Sequence, residues 1–321
     1  MKDMQKNRIA GALFGVAVGD ALGGPVEFMS AEEIVRRYVC VSDMIGGGWL
    51  GLAPGEITDD TQMTLCVAEG IVEAPADPIQ AIGRRFIEWA NGGPKDIGWA
   101  CASSIHYAQR IASCGIFGRN EGKTPTAEQW EQAGAATQRS NGRPVEGNGA
   151  LMRTVYPGLY YDRNSAQTWA MKISRMTHAG ARSTEACILY SRMINLLTAS
   201  ESQAQDTQHP REFLAEQCAD VPEYAAAAKK FTVSPASGGY VVDSMRIAVG
   251  SMATTDTFED AVVKAVNLGG DADTNGAITG GIAGAWYGYD AIPAEWIAAL
   301  APDVREAMIR LANAAVRARR G

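Results

Sequence analysis

Apolar residues recur at helical spacing along almost the whole of this 321-residue chain. Residues 63–71 and 258–266 each place apolar side chains or glycine at positions i, i+3, i+4, i+7 and i+8, which share one face of a helix. Residues 186–197 and 304–315 carry a similar pattern, and no segment shows the sustained two-residue alternation of strands. The sequence therefore predicts an all-α protein.

Two segments carry glycine at every fourth position. They are Gly11, Gly15, Gly19 and Gly23 near the start of the chain, and Gly276, Gly280 and Gly284 near its end. Glycine costs a helix about 1 kcal/mol relative to alanine, so such a series favours two helices whose backbones pack unusually close. The pair would bring the loops at its ends together around one site. Close packing without a functional role is the alternative.

Composition excludes two classes of partner. The formal net charge is −7, and no block of lysine and arginine is interleaved with aromatic residues. We therefore expect neither nucleic acid nor an anionic membrane as a primary partner. The six cysteines are scattered without a CxxC pair, which is typical of reduced thiols in a cytoplasmic protein.

The start of the chain resembles a signal peptide in part. Lys2, Lys6 and Arg8 precede the apolar run 9–19, but this run ends at Asp20 without an obvious cleavage site. We therefore expect a cytoplasmic protein. We also expect no apolar run to be long enough to span a membrane.

Two polar, turn-rich stretches interrupt the helical pattern. Residues 117–147 and 199–211 are predicted to be loops or insertions, the first with one short helix around Trp130. Neither is flanked by a large change in composition, so residues 1–321 are predicted to form a single domain, which we expect to be a monomer.

Two acidic motifs, "TDDT" at 58–61 and "GGDADT" at 269–274, carry the strongest chemical signal. Each places two aspartates and a threonine at the start of a helical pattern. One aspartate could cap each helix, but a second gains little from the same helix end. Paired carboxylates with neighbouring hydroxyls favour instead a site for hard divalent cations. The candidate ligands are Thr58, Asp59, Asp60, Asp271, Asp273 and Thr274.

The candidate ligands contain no nitrogen or sulfur donor, which disfavours zinc and favours Mg²⁺ or Mn²⁺. If the motifs meet in space, they could hold two divalent cations, which orient substrate oxygens and activate water. Among the enzymes that such a centre suits is a Mg²⁺-dependent nucleotide phosphohydrolase.

Five ordered motifs make the comparison specific. "GALFGVAVGDALGGPVEF", "TDDT", "GNGALMR" at 147–153, "THAG" at 177–180 and "GGDADTNGAITGGIAGA" resemble, in this order, the motifs of the ADP-ribosylglycohydrolase family. Within that family the chain is most similar to the glycohydrolases that activate dinitrogenase reductase, through residues 46–50, 237–245 and 290–296. The resemblance covers residues 8–300 with interruptions.

The resemblance implies an orthogonal helical bundle with a binuclear Mg²⁺ or Mn²⁺ centre, held by the six residues above. It implies that Glu27, Asp59, Asp60 and Asp96 are catalytic, with Asp96 placed to bind a guanidinium. It assigns the ADP-ribose to Gly147, Asn148, Gly149, His178 and Tyr240. Each of four residues could instead have a purely structural role. Glu27 could be a solvated acid at a helix end, His178 a packed side chain, Tyr240 a surface residue and Asp96 a turn residue.

The expected activity is hydrolysis of ADP-ribosylated arginine on a partner protein, with ADP-ribose as product. A non-catalytic ADP-ribose-binding module is a second alternative. The complete set of aspartates argues against it, because a protein that only binds ADP-ribose does not need all of them. Trp99 stands where the nitrogenase-linked members have asparagine, and "THAG" lacks the polar residues that follow the histidine in them. These departures bear on which protein is the substrate more than on the chemistry.

Overall fold

The computed structural model describes residues 3–115, 118–119, 124–199, 209–231 and 238–320. Within these ranges the chain is helical apart from loops and one hairpin of two-residue strands, so the predicted all-α class is confirmed. The α-helices are α1 (Met4–Gly23), α2 (Ala31–Tyr38), α3 (Asp59–Glu73), α4 (Ile79–Asn91), α5 (Trp99–Ser113), α6 (Ala127–Ser140), α7 (Val155–Tyr160), α8 (Arg163–Arg175), α9 (Ala181–Leu197), α10 (Pro210–Gln217), α11 (Pro222–Lys229), α12 (Val241–Ala253), α13 (Phe258–Asn267), α14 (Ala272–Tyr287), α15 (Ala294–Ala299) and α16 (Pro302–Arg320). The antiparallel strands are β1 (Cys114–Gly115) and β2 (Gly118–Arg119), and short 3-10 turns span Gly24–Val26, Leu151–Arg153 and Tyr289–Ala291.

The four segments with helical periodicity lie within α3, α9, α13 and α16. Their apolar faces point inward: Met63 and Val67 of α3 and Phe258 and Val262 of α13 are fully buried in the core. Burial of such side chains stabilises each helix against its neighbours more than its own propensity does.

α1 and α14 pack antiparallel through their glycine series. A Cβ added at Gly15 would clash with the backbone carbonyl of Gly280, and one at Gly19 would clash with that of Gly276. One turn earlier in α1, a Cβ added at Gly11 would likewise clash with the backbone carbonyl of Gly284. The predicted close packing is confirmed, and because the helices run in opposite directions, the end of α1 lies beside the start of α14.

α1 is a core helix. The stretch Met4–Val26 is long and apolar enough to cross a membrane, so the expectation that no run reaches this length is wrong. However, 94% of its most apolar window is buried inside the protein, where α14 and α16 pack against it. Its hydrophobicity is therefore accounted for by burial on all sides rather than by lipid.

Within the stretch 117–147 the predicted helix around Trp130 is confirmed but is longer than expected, and residues 117 and 120–123 lie outside the described residues. Residues 127–140 form the whole of α6, which starts with a capping box between Thr126 and Gln129. Trp130 is fully buried and packs against Gly83 of α4. The outward face of α6 is polar, which made this stretch of sequence resemble a loop, whereas the inward face has buried residues at helical spacing. Of the second stretch, residues 200–208 lie outside the described residues, and α10 begins at Pro210.

Candidate active site

The predicted site residues converge on one cleft of about 730 Å³. Those that line it are Glu27, Asp59, Asp60, Asp96, Gly147, Asn148, Gly149, His178, Tyr240, Asp271, Asp273 and Thr274. Thr58 lies directly behind them, with its hydroxyl 3.4 Å from the Oδ2 atom of Asp60. The two acidic motifs, separated by about 210 residues, therefore meet in space because α1 and α14 bring their ends together.

Asp20, in the last turn of α1, fixes the start of α3. Its buried carboxylate accepts hydrogen bonds from the backbone N–H groups of Thr58 and Thr61, both at 3.1 Å. It also accepts from their hydroxyls, at 2.8 Å and 2.5 Å. Asp20 thus supplies the capping acceptor of α3 from another helix, and neither Asp59 nor Asp60 is the N-cap residue.

Asp60 is buried without a countercharge. Its Oδ2 atom accepts a hydrogen bond from the hydroxyl of Thr274 at 3.2 Å, while its Oδ1 atom has no hydrogen-bond partner. Within the described ranges no lysine or arginine forms an ion pair with it. A buried carboxylate in this state costs several kcal/mol, which a cation at Oδ1 would offset.

Glu27, Asp271 and Asp273 form the tightest acidic group. One carboxylate oxygen from each lies within 4.8 Å of the others, a spacing that fits a shared metal ion. Glu27 also accepts a hydrogen bond from the indole Nε1–H of Trp49 at 2.7 Å. Glu27 is therefore part of a buried acidic cluster that could hold a metal, rather than the solvated end-of-helix acid considered as an alternative.

The electrostatics of the cleft favour cation binding. Burial, followed by the charge of Asp271, raises the pKa of Glu27 to about 8, against the Trp49 hydrogen bond that lowers it. Burial and the nearby Asp96 raise the pKa of Asp59 to about 7. Burial raises the pKa values of Asp60 and Asp273 well above the ordinary range, and the charge of Asp20 near Asp60 and that of Asp60 near Asp273 add to the effect. Divalent cations would stabilise the ionised form of all four groups.

A glycine turn couples the acidic motif of α14 to the segment that carries Glu27. Gly269 and Gly270 have φ values of +74° and +70°, which glycine adopts without strain. Gly270 donates a backbone hydrogen bond to Met29 and accepts one from Phe28, both at 2.7 Å. Glu27 and Asp271 are thereby held on adjacent backbones.

The loop Gly147–Gly149 forms another part of the cleft wall. Gly147 forms a β-bridge with Tyr240, and the backbone N–H of Asn148 donates to the carbonyl of Gly239 at 3.0 Å. The side-chain Nδ2 of Asn148 donates to Asp271 at 2.7 Å. This asparagine therefore ties the predicted ligand loop directly to the acidic cluster.

His178 lies against the same loop in its neutral form. A Cβ added at Gly147 or Gly149 would come within 3.2 Å of its ring. Burial lowers the pKa of His178 to about 3, and the charge of Arg153 acts in the same direction. Arg153 donates to the Thr177 hydroxyl at 2.7 Å, and that hydroxyl lies 2.8 Å from Nδ1 of His178. Since arginine cannot accept, the hydroxyl proton is available for Nδ1, which leaves the His178 proton on Nε2.

Arg153 is a fully buried cation behind the ligand loop. It donates to the carbonyl of Gly149 at 2.5 Å, and its guanidinium lies 4.9 Å from the ring centre of Phe86. In the described part of the chain it has no carboxylate within ion-pair distance. Its charge therefore acts on the loop and on the acidic cleft, because no single carboxylate in the described residues neutralises it.

Asp96 lies in the loop between α4 and α5 and is half-buried. Its Oδ1 atom accepts a hydrogen bond from the backbone N–H of Ile97 at 2.8 Å, so the turn role is present. Because the side chain also lines the cleft, the turn role does not replace the site role. Burial raises its pKa, which the nearby Asp271 raises further. Tyr240 likewise combines both descriptions: it lines the cleft and is partly exposed.

The sequence reasoning missed Asp20, Arg153 and Trp49. Asp20 interrupts an otherwise apolar helical run, and a buried acid was the available signal there. Arg153 belongs to a quoted motif, but its burial is set by Phe86 and Thr177, which are distant in sequence. No signal marked Trp49 as the hydrogen-bond partner of Glu27.

Comparisons with known proteins agree with this geometry. The model of the ADP-ribosylglycohydrolase family matches residues 1–321. The ADP-ribosyl-[dinitrogen reductase] glycohydrolase of Rhodospirillum rubrum is 32% identical over 96% of this chain and 95% of its own length. The ADP-ribosylarginine hydrolase Tri1 of Serratia proteamaculans is 31% identical over 93% of this chain and 76% of its own length. A solved structure titled ADP-ribosylglycohydrolase-related protein complex has a TM-score of 0.77 and 30% identity over 99% of both chains.

Proposed function

This chain belongs to the ADP-ribosylglycohydrolase family, and we propose that it hydrolyses the N-glycosidic bond between ADP-ribose and a modified arginine side chain of a protein. The products would be ADP-ribose and the restored arginine. Two relatives support this proposal, because the name of one specifies an ADP-ribosylated protein and the name of the other ADP-ribosylarginine.

The proposed cofactor is a pair of Mg²⁺ or Mn²⁺ ions. Asp60 with its unpartnered Oδ1 atom, and the group formed by Glu27, Asp271 and Asp273, supply the oxygen donors that these ions prefer. Asp59, Thr58 and Thr274 complete the proposed ligand set. When bound, such ions supply positive charge to the ribose oxygens and lower the pKa of water.

One wall of the cleft is suited to the ADP-ribose. The glycines of the loop Gly147–Gly149 leave room for close approach of a pyrophosphate to backbone N–H groups. His178, neutral with its proton on Nε2, can donate a hydrogen bond without adding charge. The ring of Tyr240 provides a flat apolar surface at the same wall.

The acidic wall is suited to the arginine and to proton transfer. Asp96 offers a carboxylate that can bind a guanidinium through paired hydrogen bonds. As the bond from the anomeric carbon to the guanidine nitrogen breaks, the nitrogen keeps the electron pair. A water oxygen then bonds to the anomeric carbon and releases a proton. We assign that proton to Glu27, because its carboxylate lines the cleft beside Asp271 and Asp273 and can accept a proton as a general base.

The single observation that carries the proposal is the Asn148 side chain hydrogen-bonded to Asp271. This contact joins the motif that resembles an ADP-ribose loop to the buried acidic cluster, within one cleft that also contains Asp96. A nucleotide phosphohydrolase would use the acidic cluster, but its substrate carries no guanidinium for Asp96 to bind.

A substrate panel tests the proposal. The metal-loaded protein is assayed with ADP-ribosyl-arginine, ADP-ribosyl-serine and O-acetyl-ADP-ribose, in parallel with Asp273→Asn. We expect turnover of the arginine compound by the native protein and at least about a hundredfold loss in the variant. Turnover of the serine or acetyl compound without turnover of the arginine compound would refute the role of Asp96.

A further inference from the structure

Three aromatic side chains lie exposed at the acidic end of the cleft. Phe28 is 67% exposed, Trp49 is 55% exposed and Trp99 is 53% exposed. We call these three residues the aromatic rim. Phe28 directly follows Glu27, and Trp99 lies three residues after Asp96. Both aromatic residues line the cleft together with these acids, and Trp49 contacts Phe28.

The rim is held in place rather than loosely attached. The indole of Trp49 donates to Glu27 at 2.7 Å, and its ring centre lies 5.6 Å from that of Phe28. Phe28 has a φ of +64°, and its backbone N–H is fixed by the carbonyl of Gly270 at 2.7 Å. This conformation is strained for a bulky residue, and such strain is commonly retained at functional sites.

The placement of exposed apolar side chains points to the same surface. Among the described residues, nine large hydrophobic side chains are exposed, and four of them, the rim and Tyr240, belong to the cleft and its edge. Ile309 is also exposed, but it lies beside α1 and Tyr289, away from the acidic motifs. Apolar patches gathered at one opening mark interaction sites, whereas scattered ones do not.

We propose that the aromatic rim docks the polypeptide on either side of the modified arginine, through apolar side chains that flank it. This inference rests on the proposed function and names the part of the substrate protein that the cleft cannot hold. With ADP-ribose against Gly147–Gly149 and the guanidinium at Asp96, the attached chain would lie beside Trp99 and Phe28, which line the same cleft. The surface is continuous with the cleft, and its aromatic faces suit both apolar side chains and the arginine stem.

The test compares two substrates of the metal-loaded protein. One is free ADP-ribosyl-arginine, and the other is a short peptide with one ADP-ribosylated arginine between leucines. The measured quantity is the ratio of kcat/KM for the peptide to kcat/KM for the free compound. Trp99→Ala should lower this ratio about tenfold, mainly by raising KM for the peptide, while Trp99→Phe should keep most of it.

Ile309→Ala is the matched control, because it removes a similarly exposed apolar side chain at a distance from the cleft. It should leave the ratio unchanged. An unchanged ratio in Trp99→Ala would overturn the proposal, as would an equal loss for both substrates. A dimer that sedimentation velocity detects for the native protein and that Trp99→Ala dissociates would overturn it as well.

A binding measurement separates this inference from the proposed function. The unmodified leucine-flanked arginine peptide is titrated into the same proteins, without any need for turnover. Weaker binding to Trp99→Ala than to Ile309→Ala would support the rim even if the native protein hydrolysed neither substrate. Equal binding to both variants would refute the rim even if ADP-ribosyl-arginine were hydrolysed.

Discussion

Replacing Asp60 by asparagine should stabilise the metal-free protein. Asp60 is 1% exposed, its Oδ1 atom has no hydrogen-bond partner, and burial raises its pKa well above the ordinary range. At pH 7 the unfolded chain carries this group ionised in water, while the folded chain must either bury the charge or bind a proton. Either choice costs free energy of folding, and the nearly isosteric amide in Asp60→Asn removes that cost.

The expected gain is about 1–4 kcal/mol in the free energy of unfolding at pH 7 to 8. The sign follows from linkage: a carboxyl group whose folded pKa is raised loses stability as the pH rises from its unfolded pKa through its folded pKa. The advantage of Asp60→Asn should therefore shrink as the pH falls and disappear only below the unfolded pKa of 3.8, where Asp60 binds a proton in both states. Urea unfolding with chelator, followed by circular dichroism, measures the difference directly.

Adding Mn²⁺ should reverse the order of stabilities. A ligand present at a thousand times its Kd stabilises the folded state by about 4 kcal/mol, and Asp60→Asn should lose most of this increment. Asp303→Asn is the matched control, since Asp303 lies exposed in the first turn of α16. The reasoning is refuted if metal-free Asp60→Asn is clearly less stable than the native protein, or if it keeps the full Mn²⁺ increment.

Three further perturbations test other parts of the account. Asp20→Ala should destabilise the fold by about 2–4 kcal/mol in urea unfolding, because four donors at the start of α3 lose their acceptor; a change below about 0.5 kcal/mol would contradict this. Gly15→Ala should lower the free energy of unfolding by about 1–3 kcal/mol and weaken Mn²⁺ binding, because the added Cβ meets the Gly280 carbonyl. Gly98→Ala serves as the stability control, because a Cβ there meets no atom within 4 Å. Mn²⁺ affinity should rise between pH 6 and pH 8, by about tenfold per pH unit for each proton displaced. The reason is that without metal the pKa values of Asp59 and Glu27 are about 7 and 8. Calorimetry that finds an affinity independent of pH and no proton release would refute this prediction.

The sequence allowed the helical class and the pairing of α1 with α14 to be predicted, because both depend on local repeats. Apolar spacing encodes which face of a helix is buried, and the glycine series encodes a close approach at Gly15 and Gly280. The two aspartate doublets were recognisable because capping explains only one acid of each pair. Their meeting in space was an assumption until the antiparallel packing of the two helices was known.

Other features depend on contacts between residues that are distant in sequence. Asp20 accepts hydrogen bonds from the start of α3, 38 to 41 positions away in sequence, and nothing near Asp20 in the sequence identifies Thr58 as its partner. The sequence predicts a helix around Trp130, but it does not show that Gly83 of α4 packs against this side chain. Buried contacts of this kind are set by the tertiary arrangement, which local propensity does not encode.

The most direct test of the account is the identity of the bond that is broken. A peptide with one ADP-ribosylated arginine is incubated with the protein and Mg²⁺ or Mn²⁺, and the products are identified by mass spectrometry. The account predicts free ADP-ribose and the unmodified arginine peptide, both absent when the metal is chelated. AMP with a phosphoribosylated peptide, inorganic phosphate, or an unchanged substrate would contradict it.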